Sequence, residues 1–185
     1  MKKLISIFSL LLVSLAGFAD NLTAYQNYVY SGSGKTEFRF QKVTSFKCTS
    51  NTSLIPLTFG VTAISVKRDA VTKGFAKFEN KTPGTTVKNE LVIADTDVDE
   101  TVRVLTQMLP VIHDGFKGNL ANGETYQDCY MNETGFSVGY SVSGGKTSWF
   151  IIFGRNDLVI FCSPETLLEV FTSAQKTINA MKGIQ

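Results

Sequence analysis

Residues 20–185 predict an α+β domain, an antiparallel sheet built from two meander-plus-helix halves with both helices on one face. Three observations carry this. Short segments of period-two apolar alternation, separated by Gly, Asn and Pro turns, recur on both sides of residues 95–118. Two segments, Asp95–Phe116 and Ser163–Met181, shift instead to helical spacing of apolar residues. Finally, Lys88-Asn89-Glu90-Leu91-Val92-Ile93 leads into Thr96-Asp97 and a helix, as Arg155-Asn156-Asp157-Leu158-Val159-Ile160 leads into Ser163-Pro164 and a helix. The shared order and helical phase point to an internal duplication, with pseudo-repeats at about 54–118 and 122–183.

Ahead of the domain, residues 1–19 read as a signal peptide. Met1-Lys2-Lys3 is a basic start, Leu4–Val13 is an apolar core, and Gly17-Phe18-Ala19 offers small residues for cleavage before Asp20. The protein is therefore expected to be exported, to a periplasm or the extracellular space. Without Lys2 and Lys3 the acidic and basic residues balance, which argues against nucleic acid or an anionic membrane as partner. No later apolar run is long enough for a transmembrane segment in the mature chain. Fourteen Phe and six Tyr among many Val, Ile and Thr favour strands.

In chain order, Leu22–Tyr30, with Tyr25, Tyr28 and Tyr30, and the alternating Thr36–Phe40 read as a hairpin around Ser31-Gly32-Ser33-Gly34. Val43–Ser53, polar around Cys48, reads as a loop or irregular edge strand. Pro56–Ala70, Gly74–Phe78 and Thr85–Ala94 form a three-stranded meander, with Lys81-Thr82-Pro83-Gly84 as one turn.

Val98, Val102, Leu105, Leu109, Ile112 and Phe116 then share one helix face, with Thr96 and Asp97 as N-caps. Pro110 ends or kinks that helix near Leu109 and leaves a short second piece carrying His113. Four strands follow, Glu124–Met131, Phe136–Val142, Thr147–Phe153 and Leu158–Phe161, with Gly- or Asn-bearing turns. Ser163 caps the last helix, Pro164 takes its first position, and Lys182-Gly183 ends it after the stripe Leu167, Phe171, Ala174, Ile178 and Met181.

Several motifs dissolve on inspection. Gly34-Lys35-Thr36 and Gly145-Lys146-Thr147 mimic the end of a phosphate-binding loop but lack its earlier glycine and precede strands rather than helices. Asp95, Asp97, Asp99 and Glu100 lack the glycine and the twelfth-position carboxylate of a calcium loop, and helix capping accounts for them. One His, His113, and three Cys, Cys48, Cys129 and Cys162, form no metal-ligand spacing. Of the three possible disulfides, Cys129 with Cys162 would span about 14 Å across a four-stranded meander, too far to bond. Cys48 with Cys129 is the disulfide candidate.

No catalytic residue, cofactor or metal site is expected. The candidate binding residues are the aromatics Tyr25, Tyr28, Tyr30 and Trp149, which on strands can line a groove for a protein, peptide or glycan. The tandem layout resembles that of saddle-shaped or β-lactamase-inhibitor-like proteins, a likeness of plan that carries no motif. Helices on one face leave the other face of the sheet open, so the expected function is that of an exported, non-catalytic binding or inhibitor-like protein using that face. The alternative is a carrier of a small apolar ligand held between helices and sheet. A third reading, a thiol-dependent hydrolase, requires Cys129 or Cys162 within hydrogen-bond reach of His113.

Overall fold

The computed structural model of the chain describes residues 24–51, 56–81, 88–153 and 158–184. The signal-peptide residues, the turn at 82–84 and the turn at 154–157 lie outside them. The described residues fall into two compact units, 24–33 and 34–184. In the first, helix α1 (Ala24–Tyr30) is closed by a bond from Ser31 N–H to the Asn27 carbonyl. This corrects the expected hairpin. Tyr25, Tyr28 and Val29 stand three and four residues apart, the spacing of one helix face, and all three are half-buried.

The second unit holds β1 (Thr36–Ser50), β2 (Leu57–Arg68), β3 (Val71–Lys81), β4 (Lys88–Ala94), α2 (Asp95–Gln107) and α3 (Leu109–Asp114). It continues with β5 (Thr125–Met131), β6 (Ser137–Ser143), β7 (Lys146–Ile152), β8 (Val159–Phe161) and α4 (Pro164–Lys182). The fold is α+β, with one eight-stranded antiparallel sheet in the order β4-β3-β2-β1-β8-β7-β6-β5. The first meander therefore has four strands rather than three. Its extra strand, β1, runs through the segment expected to be a loop.

The reason is a bulge. Pairing of β1 with β2 slips between Lys42 and Thr44, leaving Val43 without a partner. Before the slip Gln41 opposes Ala63, and Phe38 and Phe40 point to the opposite face; after it Phe46 opposes Phe59 and Cys48 opposes Leu57, on the face of Ala63. A single strand thus changes the parity of its apolar residues halfway along. No period-two reading survives that.

The core lies on the face against which α4 packs. Phe46, Phe59, Phe78, Phe153, Phe136 and Phe171 pack ring against ring there, with centroids 5.0–6.3 Å apart. Helix α4 lies against β1, β2, β3 and α2, burying Leu167, Val170, Phe171, Ala174 and Ile178. Ser163 caps it by accepting from Thr166 N–H, and Gly183 closes it in the left-handed conformation, as its sequence predicts. Helix α2 begins two residues earlier than expected, with Ala94 rather than Thr96 or Asp97 at the N-cap, while Asp95 accepts from Thr96 N–H. It gives way to α3 at Met108, with Pro110 in the first turn of the new helix, where a missing N–H costs nothing.

Helix α2 touches β3 and β4 at one end of the sheet and β5 at the other. Laid flat, the seven strand intervals would hold β4 and β5 about 34 Å apart. One helix about 10 Å across reaches both only if the sheet coils its two ends toward each other. Tyr130 on β5 makes the link explicit, donating its hydroxyl to the Asp97 carboxylate of α2 at 2.6 Å.

Candidate functional site

On the face turned away from the core, the bulge in β1 leaves Phe38 and Phe40 as 41% and 61% exposed aromatics, their rings parallel to within 8° and 6.4 Å apart. Phe38 opposes Val66, Phe40 opposes Ile64, and Thr36 opposes Arg68, which pairs in turn with Val71. Val71 is 55% exposed and stands on the same face. Lys42, Arg68 and Lys73 share it, so the exposed apolar groups have a cationic border. This face is not uniformly open. Ile64, Val66 and Phe75 are buried on it, so the accessible apolar surface concentrates at Phe38, Phe40 and Val71.

Around the same strand ends, but on the helix side, a cleft of about 320 Å³ runs between β1–β3 and the end of α4. Glu37, Arg39, Ser65, Lys67 and Thr72 line it together with Lys182. Lys35 beside Glu37, at 3.2 Å, holds that carboxyl below its ordinary range, with further help from Lys67 and Arg39. Lys182 is engaged with Asp95, which anchors α4 to the start of α2.

Of the residues expected to bind, Tyr25, Tyr28 and Tyr30 sit on α1, where Tyr30 is 70% exposed. Trp149 is on β7, only 7% exposed, with its ring 5.0 Å from Tyr140. Tyr140 continues into Tyr126 and Phe116, so Trp149 is the inner end of an aromatic row whose outer member, Tyr126, is 38% exposed. Burial first, then Asp128 and Tyr126, pushes the Tyr140 phenol up to about 12. His113 is exposed in the last turn of α3.

All three cysteines are free thiols. Cys129 lies on β5 and Cys48 on β1, four strand intervals or about 19 Å apart in the sheet, so the expected Cys48–Cys129 bridge is excluded by strand order. Cys48 instead faces Cys162. The Cys48 thiol donates to the Leu57 carbonyl at 3.7 Å; the neighbouring thiols draw Cys48 down and, with burial, push Cys162 up. The pairing escaped sequence reasoning because β1 was not recognised as the neighbour of β8. The exposed pair Phe38 and Phe40 escaped it too, although the alternation Phe38-Arg39-Phe40 was its signal.

Among the described residues, no group of His, Cys, Asp and Glu side chains is placed to hold a metal ion, and no helix is long and apolar enough to cross a membrane. No family model and no curated protein matches the sequence. A solved structure described as "Mutations in SsgB correlate to longitudinal cell division during sporulation of Streptomyces coelicolor" is similar over 80% of this chain and 94% of that chain, at 14% identity and a TM-score of 0.34. A likeness of that score carries no argument.

Proposed function

We propose that the protein is an exported, non-catalytic binding module whose working surface is the outer face of β1–β3 around Phe38, Phe40 and Val71. The observation that carries this is the pair of parallel, exposed phenylalanine rings on a rigid strand, bordered by Lys42, Arg68 and Lys73. Large apolar side chains held at low entropic cost are what interface centres use. The partner class is a protein or peptide that presents apolar side chains.

The carrier reading has less support, since stacked phenylalanines occupy the space between helices and sheet. The thiol-hydrolase reading has less support, since no hydrogen bond joins His113, exposed on α3, to Cys129 or Cys162 among the described residues. We also read the two halves, each four strands followed by a helix, as copies of one unit with both helices on the inner face. The descending strand order within each half and the packing of α2 on α4 support this.

The binding surface is tested by immobilising the protein and its Phe38→Ser/Phe40→Ser variant and exposing both to an extract of the cell envelope and medium. A species retained by the wild type and lost by an equally stable variant supports the reading. Equal retention by the two overturns it.

A further inference from the structure

We propose that Cys48 and Cys162 are a redox pair that closes to a disulfide between β1 and β8, fastening the seam that joins the two four-stranded halves. The seam is short. Thr49 pairs with Phe161 and Ser50 with Ile160, whereas β1 and β2 pair along nearly their whole length. At its end Asn51 substitutes for a regular ladder, its N–H donating to the Val159 carbonyl at 3.0 Å and its side-chain oxygen accepting from Val159 N–H at 3.1 Å.

The same register carried one step further sets Cys48 opposite Cys162. Hydrogen-bonded and non-hydrogen-bonded pairs alternate in an antiparallel ladder, and Asn51 with Val159 is a bonded pair. Counting back, Thr49 with Phe161 is bonded and Cys48 with Cys162 is not. The Cys162 N–H confirms the count, since it turns away from β1 to donate to Trp149 on β7. Non-hydrogen-bonded partners have Cα atoms about 4.5 Å apart with side chains side by side, inside the range a disulfide requires.

The oxidant is an exchangeable disulfide such as oxidised glutathione. A protein thiolate attacks one of its sulfurs and expels a glutathione thiolate; the second protein thiolate then attacks the protein sulfur of the mixed disulfide and expels the other. The two protein thiols lose two protons and two electrons, and one oxidised glutathione becomes two reduced ones. Cys162 is half-buried and Cys48 only 5% exposed, so the oxidant reaches the pair from the Cys162 side.

The test places the full chain, and its Cys129→Ser variant, in buffers of reduced and oxidised glutathione of increasing oxidising strength. Mass mapping without reduction should find the Cys48–Cys162 peptide pair in both, with Cys129 of the wild type still open to alkylation. The oxidised form should have a urea midpoint higher than the reduced form of the same protein by about 1 M or more. A mixed disulfide at Cys162 that never resolves, a bridge involving Cys129, or a Cys48–Cys162 bridge that leaves the midpoint unchanged would each overturn the proposal. Because each protein is compared with itself in two redox states, a poorly folding variant cannot imitate the result.

Discussion

Tyr130 and Tyr140 show how single side chains hold the second half of the sheet. The Tyr130 hydroxyl donates to Asp97 across from β5 to α2, a bond to a charged acceptor that stabilises more than a neutral one. Tyr130→Phe should therefore cost about 1–3 kcal/mol in urea denaturation. Burial and the neighbouring Asp97 hold the Tyr130 phenol above its ordinary range, and Tyr140 is pushed up to about 12. A raised phenol keeps its proton in the folded chain after the unfolded chain has lost it. The stability it contributes is fully present below the unfolded value of 10.0 and is lost as pH rises through about 12. Melting temperature should fall steeply over that window, and Tyr140→Phe should blunt the fall. Neither residue stood out in the sequence, because nothing local says that β5 will meet the start of α2.

The elements with local signals were legible and those defined by distant partners were not. Helix α4 was readable to its ends because Ser163, Pro164 and Gly183 act on their own neighbours in the chain. Removing that cap by Ser163→Ala should cost about 1 kcal/mol, measured as a shift in urea midpoint. Strand β1 was read as two unrelated pieces, since the bulge at Val43 inverts its alternation. The seat of α4 on the sheet was equally hidden. It depends on Gly74 of β3, where an added Cβ would stand 2.3 Å from the Cγ2 of the buried Ile178. Gly74→Ala should overpack this contact and destabilise by about 1–3 kcal/mol, with an accompanying loss of the Lys182–Asp95 pair visible as altered side-chain resonances.

At the scale of the whole molecule the halves are interlocked rather than merely adjacent. Helix α4 follows β8 in the chain yet lies on β1, β2 and β3, while α2 follows β4 yet reaches β5. A repeat read from sequence suggests two self-sufficient units; the packing denies that either is. A fragment of residues 34–122, lacking α4, would leave Phe46, Phe59, Val61 and Phe78 without most of their cover. It should show no cooperative thermal transition by circular dichroism, whereas the full chain should melt with one transition reported alike by Trp149 fluorescence and backbone signal. The order of β2–β4 and of β5–β8 was legible from their turns. The junction of β1 with β8 was not, because it unites the first and last strands of the sheet in chain order.

The position of α4 also sets an order of events during biosynthesis. The eight described strands leave the ribosome before Pro164–Lys182 does, so the apolar side of β1–β3 stays uncovered until α4 has been made. The nascent domain is thereby kept from early closure, and its lasting commitment to the native state falls to the helix that follows its strands.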